Sequence, residues 1–328
     1  MQQEYGKSSS NSVAPDVTID HCAICGSSTA VRHPVVKDFL FSLDGSWRIV
    51  QCQNSACRHA QLSPMPSDAE LRDYYSQYIT HESAEVGDVG RQDLISKYLK
   101  AQPGHRAREL LFLDHTSPGT LLEVGCGNGV NLLKLQREGW VVQGQDLDPA
   151  AAAQARSRGI DVKLGFLQDV RSELGSYRAV IMVHVIEHLR TPVNDLKIFR
   201  QHLDGNGDFV IITPNIRSLP HRIFGRYWAP LHAPFHLHHF SRASLERAAG
   251  DAGLTVKQCF THSSHAASNI RASLQFLAQD KTGWASLLRL PSVAKLLEAA
   301  LFALLGIAQV LTKDAGDECV LICQSARM

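Results

Sequence analysis

Hydrophobic and polar positions divide the chain into stretches of different period. Residues 1–18 are polar and serine-rich, too poor in apolar groups to offset the entropy of ordering, and a disordered tail is predicted there. Short alternating runs such as Trp47-Arg48-Ile49-Val50 predict a small β-rich module over 19–66. Residues 67–118 read as a helical linker, opened by a capping box of Ser67 and Glu70, with apolar faces from Leu94, Tyr98 and 110–113. From 119 the pattern changes. Apolar runs at 121–124, 140–144, 162–164, 179–183 and 208–212 alternate with helical patterns at 128–137, 149–158 and 192–202. Such alternation implies βαβ units and a parallel sheet. The segment 213–240 is irregular and rich in His, Pro and aromatics. A helix opened by Ser241 follows over 241–252, the last two strands fall at 254–260 and 319–323, and 264–313 is mostly helical.

A length of 328 residues suggests about two domains. Hydrophobic residues at 44% and charged residues at 20% describe a globular chain. Lys+Arg 33 against Asp+Glu 32 gives a formal charge of +1, so no nucleic-acid partner is expected. No apolar segment opens the chain and no run reaches 18 apolar residues, so no secretory signal or membrane span is predicted. The expectation is a cytoplasmic protein whose eight cysteines are reduced. Secreted disulfide scaffolds, collagen-like fibres and polytopic membrane proteins are excluded.

The strongest chemical signal is Glu123-Val124-Gly125-Cys126-Gly127-Asn128-Gly129, a glycine turn between a strand and a helix. Glycine permits positive φ and a close ligand approach, and the helix beyond presents free N–H groups. The next strand ends at Asp146, 17 residues after Gly129, where a carboxylate can accept from both hydroxyls of a ribose. The spacing is G-x-G-x-G, not the G-x-G-x-x-G of dinucleotide sites. Glu123 would sit poorly beside a pyrophosphate and well near a cationic ligand, which favours a sulfonium amino acid over NAD.

With these residues the chain resembles the class I S-adenosylmethionine-dependent methyltransferases, whose first motif is E/D-x-G-x-G-x-G. Gly144-Gln145-Asp146-Leu147-Asp148-Pro149 looks like the family's second-strand motif, and Gly165-Phe166-Leu167-Gln168-Asp169 falls where the family contacts adenine. Val180 to Leu189, reading V-I-M-V-H-V-I-E-H-L, is similar to the fourth strand and turn of the ubiquinone-biosynthesis branch. Gly207 to Asn215 resembles the fifth strand. The resemblance covers roughly 115–260. It implies a Rossmann-like α/β fold with a seven-stranded, mostly parallel sheet, the last strand antiparallel, within a methyltransferase domain over 119–328. By this likeness Glu123, Gly125 and Gly127 flank the methionine part of S-adenosylmethionine, Asp146 and Leu147 the ribose, and Leu167 and Gln168 the adenine.

Cys22-x-x-Cys25 and Cys52-x4-Cys57 enclose 26 residues. Four thiolates on two tight turns suit a closed, structural, tetrahedral zinc site, and a module of about fifty residues needs such a staple. His21, His33 and His59 are alternative ligands, and redox use of the cysteines stays open. The arrangement resembles the N-terminal zinc-binding module of some methyltransferases acting on sugars and cell-surface precursors.

Ligands of open α/β sheets sit beyond the carboxyl ends of the strands, where His184, Glu187 and His188 leave the fourth strand. If the acceptor atom is a hydroxyl, a base must take its proton, and His serves near neutral pH. His188 and His184 are candidates. His236 is the third, because four histidines fall within the eight residues 232–239, in the insertion 213–240 where the family builds its acceptor lid. Arg217, Arg222 and Arg226 in the same insertion could grip an anionic acceptor.

The second insertion, 264–313, contains a run over 293–311 whose polar members Lys295, Glu298 and Gln309 fall on one narrow stripe. Burial in a homodimer or in the insertion core is one expectation. The other is peripheral contact with the inner face of a membrane carrying a lipid-linked acceptor. The sequence thus reads as a methyltransferase acting on a sugar or other small-molecule acceptor. The alternatives are an NAD-dependent oxidoreductase and a non-catalytic S-adenosylmethionine-binding regulator.

Overall fold

A computed structural model of the chain describes residues 21–77, 105–279 and 283–325. The predicted tail, Leu94 and Tyr98 lie outside these residues.

Strands β1 (Thr29–Val36), β2 (Trp47–Cys52) and β3 (Ala60–Ser63) pair antiparallel. Helix α1 (Asp68–Gln77) follows, and its start is the expected box: Glu70 N–H donates to Ser67 Oγ at 3.2 Å and Ser67 N–H to Glu70 Oε2 at 2.7 Å. A short helix, α2 (His105–Glu109), leads into the alternating part. There β4 (Thr120–Val124), α3 (Val130–Arg137), β5 (Val141–Asp146), α4 (Pro149–Ser157) and β6 (Asp161–Leu164) form one half. The chain continues through α5 (Leu167–Val170), β7 (Tyr177–Val183), α6 (Pro192–Gln201) and β8 (Leu203–Pro214). Helix α7 (Leu219–Phe224), the two-residue strand β9 (His238–His239), α8 (Arg242–Asp251) and β10 (Leu254–His262) come next. Helices α9 (Ala266–Gln279) and α10 (Pro291–Leu311) precede β11 (Glu318–Ser325).

The larger sheet runs β10-β11-β8-β7-β4-β5-β6. Every pairing from β6 to β8 is parallel, and β11 is antiparallel to both of its neighbours. This is the expected Rossmann-like sheet with a reversed last strand. The strand order turns back between β4 and β7, so the crevice at their carboxyl ends is the place for a ligand.

Alternation along the central strands assigns side chains to the two faces. Leu122, Val180, Met182, Phe209 and Ile211 pack on one face with Leu196, Phe199 and Leu245 from α6 and α8. Leu121, Ala179, Ile181 and Val210 pack on the other with Leu132, Leu135, Ala152 and Ala155 from α3 and α4. Each such buried Leu, Ile or Phe contributes roughly 1.5–3 kcal/mol relative to exposure, which is why unbroken apolar runs mark the centre of the sheet.

The cysteine module is joined to the insertion 213–240. β9 is the fourth strand of its sheet, pairing with β3 through Ala60↔His239 and Gln61↔His238. Ser241, which caps α8 as predicted, also donates its hydroxyl to the Cys57 carbonyl at 2.5 Å. All four module cysteines pack against the core face that includes Leu245 and Ala248.

Helix α10 differs from its expected burial in an insertion core. Only 11% of its most apolar 18-residue window is buried. Glu298 points inward, 5% exposed, and accepts from Arg271 Nε at 3.0 Å and Nη2 at 2.7 Å. The polar stripe is therefore split: Glu298 faces inward while Lys295 stays exposed. Glu298 is drawn in by a guanidinium on α9, and leucines take the outside.

Candidate functional site

The turn after β4 is built by backbone sterics. Gly125, Gly127 and Gly129 have φ of +64°, +53° and +77°, values that side chains with a Cβ resist. At Gly125 a Cβ would lie 2.5 Å from Val185 Cγ2, so glycine also lets β7's exit cross the turn. At Gly127 a Cβ would meet nothing within 4 Å. That room at the switch point is available to a ligand.

Asp146, at the end of β5, reaches across to this turn. Its Oδ2 accepts from Gly127 N–H at 2.6 Å and its Oδ1 from Asp148 N–H at 2.9 Å. Burial raises its pKa while these backbone donors oppose the shift. Each oxygen keeps a further lone pair for a ligand hydroxyl. Glu123 is 1% exposed, with Oε1 accepting from Asn131 Nδ2 at 2.9 Å and Oε2 without a hydrogen-bond partner. Burial pushes its pKa up to about 8. A cation in the crevice would favour its carboxylate, whereas a phosphate would oppose it. The donor set thus fits the sulfonium and ammonium of S-adenosylmethionine and does not fit a pyrophosphate.

Leu147 is exposed beyond β5. Phe166, beyond the neighbouring β6, is exposed too and was not singled out from the sequence. Both offer apolar surface that a flat base could cover. Gln168 is exposed on α5, which Leu167 begins.

A second cluster of titratable side chains forms around the turn Ile186–His188. His184 has φ of +54°, so its ring leaves the strand direction. Its Nε2 lies 2.8 Å from Glu318 Oε1 and its Nδ1 3.5 Å from Glu187 Oε1. Burial disfavours its cation, yet hydrogen bonds and charge from Glu187 and Glu318 prevail and raise its pKa to about 10. As an imidazolium it cannot take a proton near neutral pH, so of the three histidines it is the poorest base. His265 Nδ1 shares Glu318 Oε1 at 2.7 Å, and Thr213 Oγ1 donates to Glu187 Oε2 at 2.9 Å. The sequence reading missed Glu318, His265 and Thr213, because no local spacing connects them to this turn.

His188 and His236 face each other, ring centroids 4.6 Å apart at 89°. His188 Nδ1 lies 3.0 Å from the Phe235 carbonyl and His236 Nδ1 2.8 Å from the Pro230 carbonyl. A carbonyl oxygen only accepts, so each Nδ1 carries the proton and each Nε2 the lone pair. Burial lowers both pKa values and keeps the rings neutral. Leu237 N–H donates to the Glu187 carbonyl at 2.9 Å, tying the insertion to the turn. Of the insertion's arginines, Arg217 Nε is 3.4 Å from Asp314 Oδ2 and Arg226 Nη2 donates to the Tyr227 hydroxyl at 2.5 Å.

Two groups here have one donor atom per residue within 4.8 Å of the others, as a metal would require: Glu187, His188 and His236, and His184, His265 and Glu318. The third such group among the described residues is Cys22, Cys25, Cys52 and Cys57. Its Sγ atoms are 3.9 Å apart for Cys22 and Cys57 and 3.4 Å for Cys25 and Cys52. Zn–S bonds of about 2.3 Å in a tetrahedron need roughly 3.8 Å. The cluster could hold a zinc ion. The hydrogen bond shared with Cys57 lowers the pKa of Cys22 to about 5. Metal analysis of the purified chain should find about one zinc, and Cys52→Ala should remove it. That variant should also lower Tm by several degrees, since the cluster packs on the core. Zinc retained in Cys52→Ala would exclude the four-cysteine site.

Residues 96–258 match the family model described as a methyltransferase domain. The chain is 31% identical over 106 residues to a ubiquinone biosynthesis O-methyltransferase of Rickettsia akari, an overlap of 31% of this chain and 42% of that protein. It is 30% identical over 158 residues to a probable S-adenosylmethionine-dependent methyltransferase of Mycolicibacterium smegmatis, 46% of this chain and 59% of that one. The chain thus spans about half the length of the curated relatives it matches. Among solved structures it is similar to the complex of the Haloferax volcanii Trm112 methyltransferase activator with a putative methyltransferase, at 17% identity and a TM-score of 0.46, covering 71% of this chain and 93% of that one. The matched segment carries the glycine turn, Asp146 and His188, and its family model describes a methyltransferase domain.

Proposed function

We propose that this chain transfers the methyl group of S-adenosylmethionine to a small-molecule acceptor, a sugar or similar polar compound, held above the end of β7 beneath the histidine-bearing insertion. The observation that carries the reading is the turn at Gly127. Its N–H is fixed by Asp146, a side chain's worth of space is open beside it, and a buried carboxylate oxygen of Glu123 awaits a positive partner. The nicotinamide alternative finds no support in this spacing or in the family match.

S-adenosylmethionine supplies an activated methyl on sulfur; the S–CH3 bond breaks as the acceptor atom bonds to the methyl. The chain's own residues align the partners, exclude water and receive a proton if the acceptor is a hydroxyl. His236 and His188 each present a neutral Nε2 lone pair for that proton. His184, held as a cation between two carboxylates, orients the turn. The outward apolar face of α10 favours an acceptor carried on a lipid at the inner face of a membrane.

Calorimetry with S-adenosylmethionine, its demethylated product and NAD tests the cofactor. The first two should bind and NAD should not; binding of NAD alone would overturn the reading. With nucleotide sugars and lipid-linked sugars as acceptors, His236→Ala or His188→Ala should keep cofactor affinity and lower kcat by about 10²–10⁴. An unchanged kcat in both would remove the histidine base.

A further inference from the structure

Helix α10 is apolar on both sides, with Leu297, Leu301, Phe302 and Leu305 packing inward. Glu298 is turned into the protein, while Leu296, Leu304, Ile307, Val310 and Leu311 are 75%, 46%, 59%, 87% and 77% exposed. Leu287 and Leu290, just before the helix, are exposed as well and lengthen the apolar strip. Both ends of the helix return to the same body. Glu298 binds Arg271 on α9, and Leu305 packs with Ala266 of α9 and with Ala315 ahead of β11. A helix tied along its length in this way lies on a surface and does not cross a bilayer.

At its amino-terminal end a groove of about 580 Å³ opens between α9 and α10. Arg271, Arg289 and Lys295 line it, with Gln275 and Gln279 beside them. Glu298 is its one acidic wall and is matched by Arg271. The groove is therefore cationic on balance, and exposed Lys295 stands between it and the strip of exposed leucines. Lys313 places another exposed cation just past the carboxyl end.

We propose that the outer face of α10 docks on an anionic phospholipid bilayer, its leucines entering the interface while Arg289 and Lys295 meet lipid phosphate in the groove. Charge complementarity and area favour this occupant over a second copy of the chain. A helix of 21 residues is about 31 Å long and about 10 Å wide, a footprint of roughly 300 Å², where a stable dimer needs about 800 Å² from each partner. An apolar strip rimmed by Lys and Arg suits the boundary between acyl chains and headgroups.

The test is co-sedimentation of the full chain with vesicles of phosphatidylcholine alone or mixed with phosphatidylglycerol. It needs neither cofactor nor turnover, so its result is independent of the enzymatic reading. Binding should occur on the anionic vesicles and fall about tenfold in high salt or on neutral vesicles. Leu304→Asp with Ile307→Asp should abolish it, and Lys295→Glu should weaken it by about fivefold or more. If that aspartate pair lowers the melting temperature, Val310→Asp with Leu311→Asp, further out on the same face, replaces it. Absence of binding to either vesicle overturns the proposal, as does equal binding to both. A dimer in sedimentation velocity that the aspartate variants split would assign the face to a second copy instead.

Discussion

Replacing Asp146 with alanine should weaken S-adenosylmethionine binding by about 1–3 kcal/mol, roughly five- to more than a hundredfold in Kd. Two losses combine. The ligand's ribose hydroxyls lose a charged acceptor, and Gly127 N–H and Asp148 N–H lose the oxygens that hold the turn at 2.6 and 2.9 Å. Asp146→Asn should not rescue binding. One of its two positions would present an amide donor to a backbone donor, since both native oxygens accept. Calorimetry with the demethylated product measures both variants without turnover. Wild-type affinity in Asp146→Ala would mean that the ribose lies elsewhere and that the glycine turn is only a bend.

Acidification should destabilise the protein through its buried histidines. Burial lowers the pKa of His33 to about 4, of His221 to about 3 and of His238 to about 4. These folded values lie below the unfolded value of about 6.5, so between the two the unfolded chain binds protons that the folded chain refuses. The histidines' contribution to stability is full above pH 6.5 and declines as pH falls toward 4. Each group costs about 1.4 kcal/mol per pH unit, or about 6 kcal/mol for the three at pH 5. His236 and His239, also lowered by burial, act in the same direction. Two buried acids oppose them, as does His184, whose raised pKa makes the folded chain hold that proton more tightly. Glu123 at about 8 and Asp317 at about 6 are easier to keep protonated at low pH, an effect of about 4 kcal/mol between pH 7 and 5. The histidines outweigh the acids, so Tm at pH 5 should fall below its value at pH 7.5 by on the order of 10 °C. A flat profile over that interval, read by circular dichroism, would mean that these rings reach water in the folded state.

The buried histidines also mark where sequence reasoning stopped. Four histidines within 232–239 suggested a reactive lid. The structure divides them by neighbour. His236 turns toward His188 beyond the carboxyl end of β7, whereas His238 Nδ1 lies 3.0 Å from His59 Nε2 in the cysteine module. A ring at this density can be a base or a strut, and its place in the sequence does not say which. The same limit applies at His184. Its position after an apolar strand suggested a base, yet Glu318, 134 residues away, holds it as a cation. The cysteines were legible as a set because each pair sits on one tight turn. Their attachment to the insertion 213–240 through β9 was not, since a two-residue strand has no period to detect.

What the sequence by itself determined is what neighbours along the chain impose on one another. Strand and helix periods, the caps at Ser67 and Ser241, the positive φ of three glycines and the acid one strand later follow from backbone sterics and local hydrogen bonds. Tertiary structure alone decided which partner each buried polar group receives and which way an apolar helix faces. Glu298 turns inward because Arg271 stands opposite it, and leucines that the pattern would have buried are left outside. Those outcomes depend on burial energy and on charges brought together from distant segments, which no short window of residues contains.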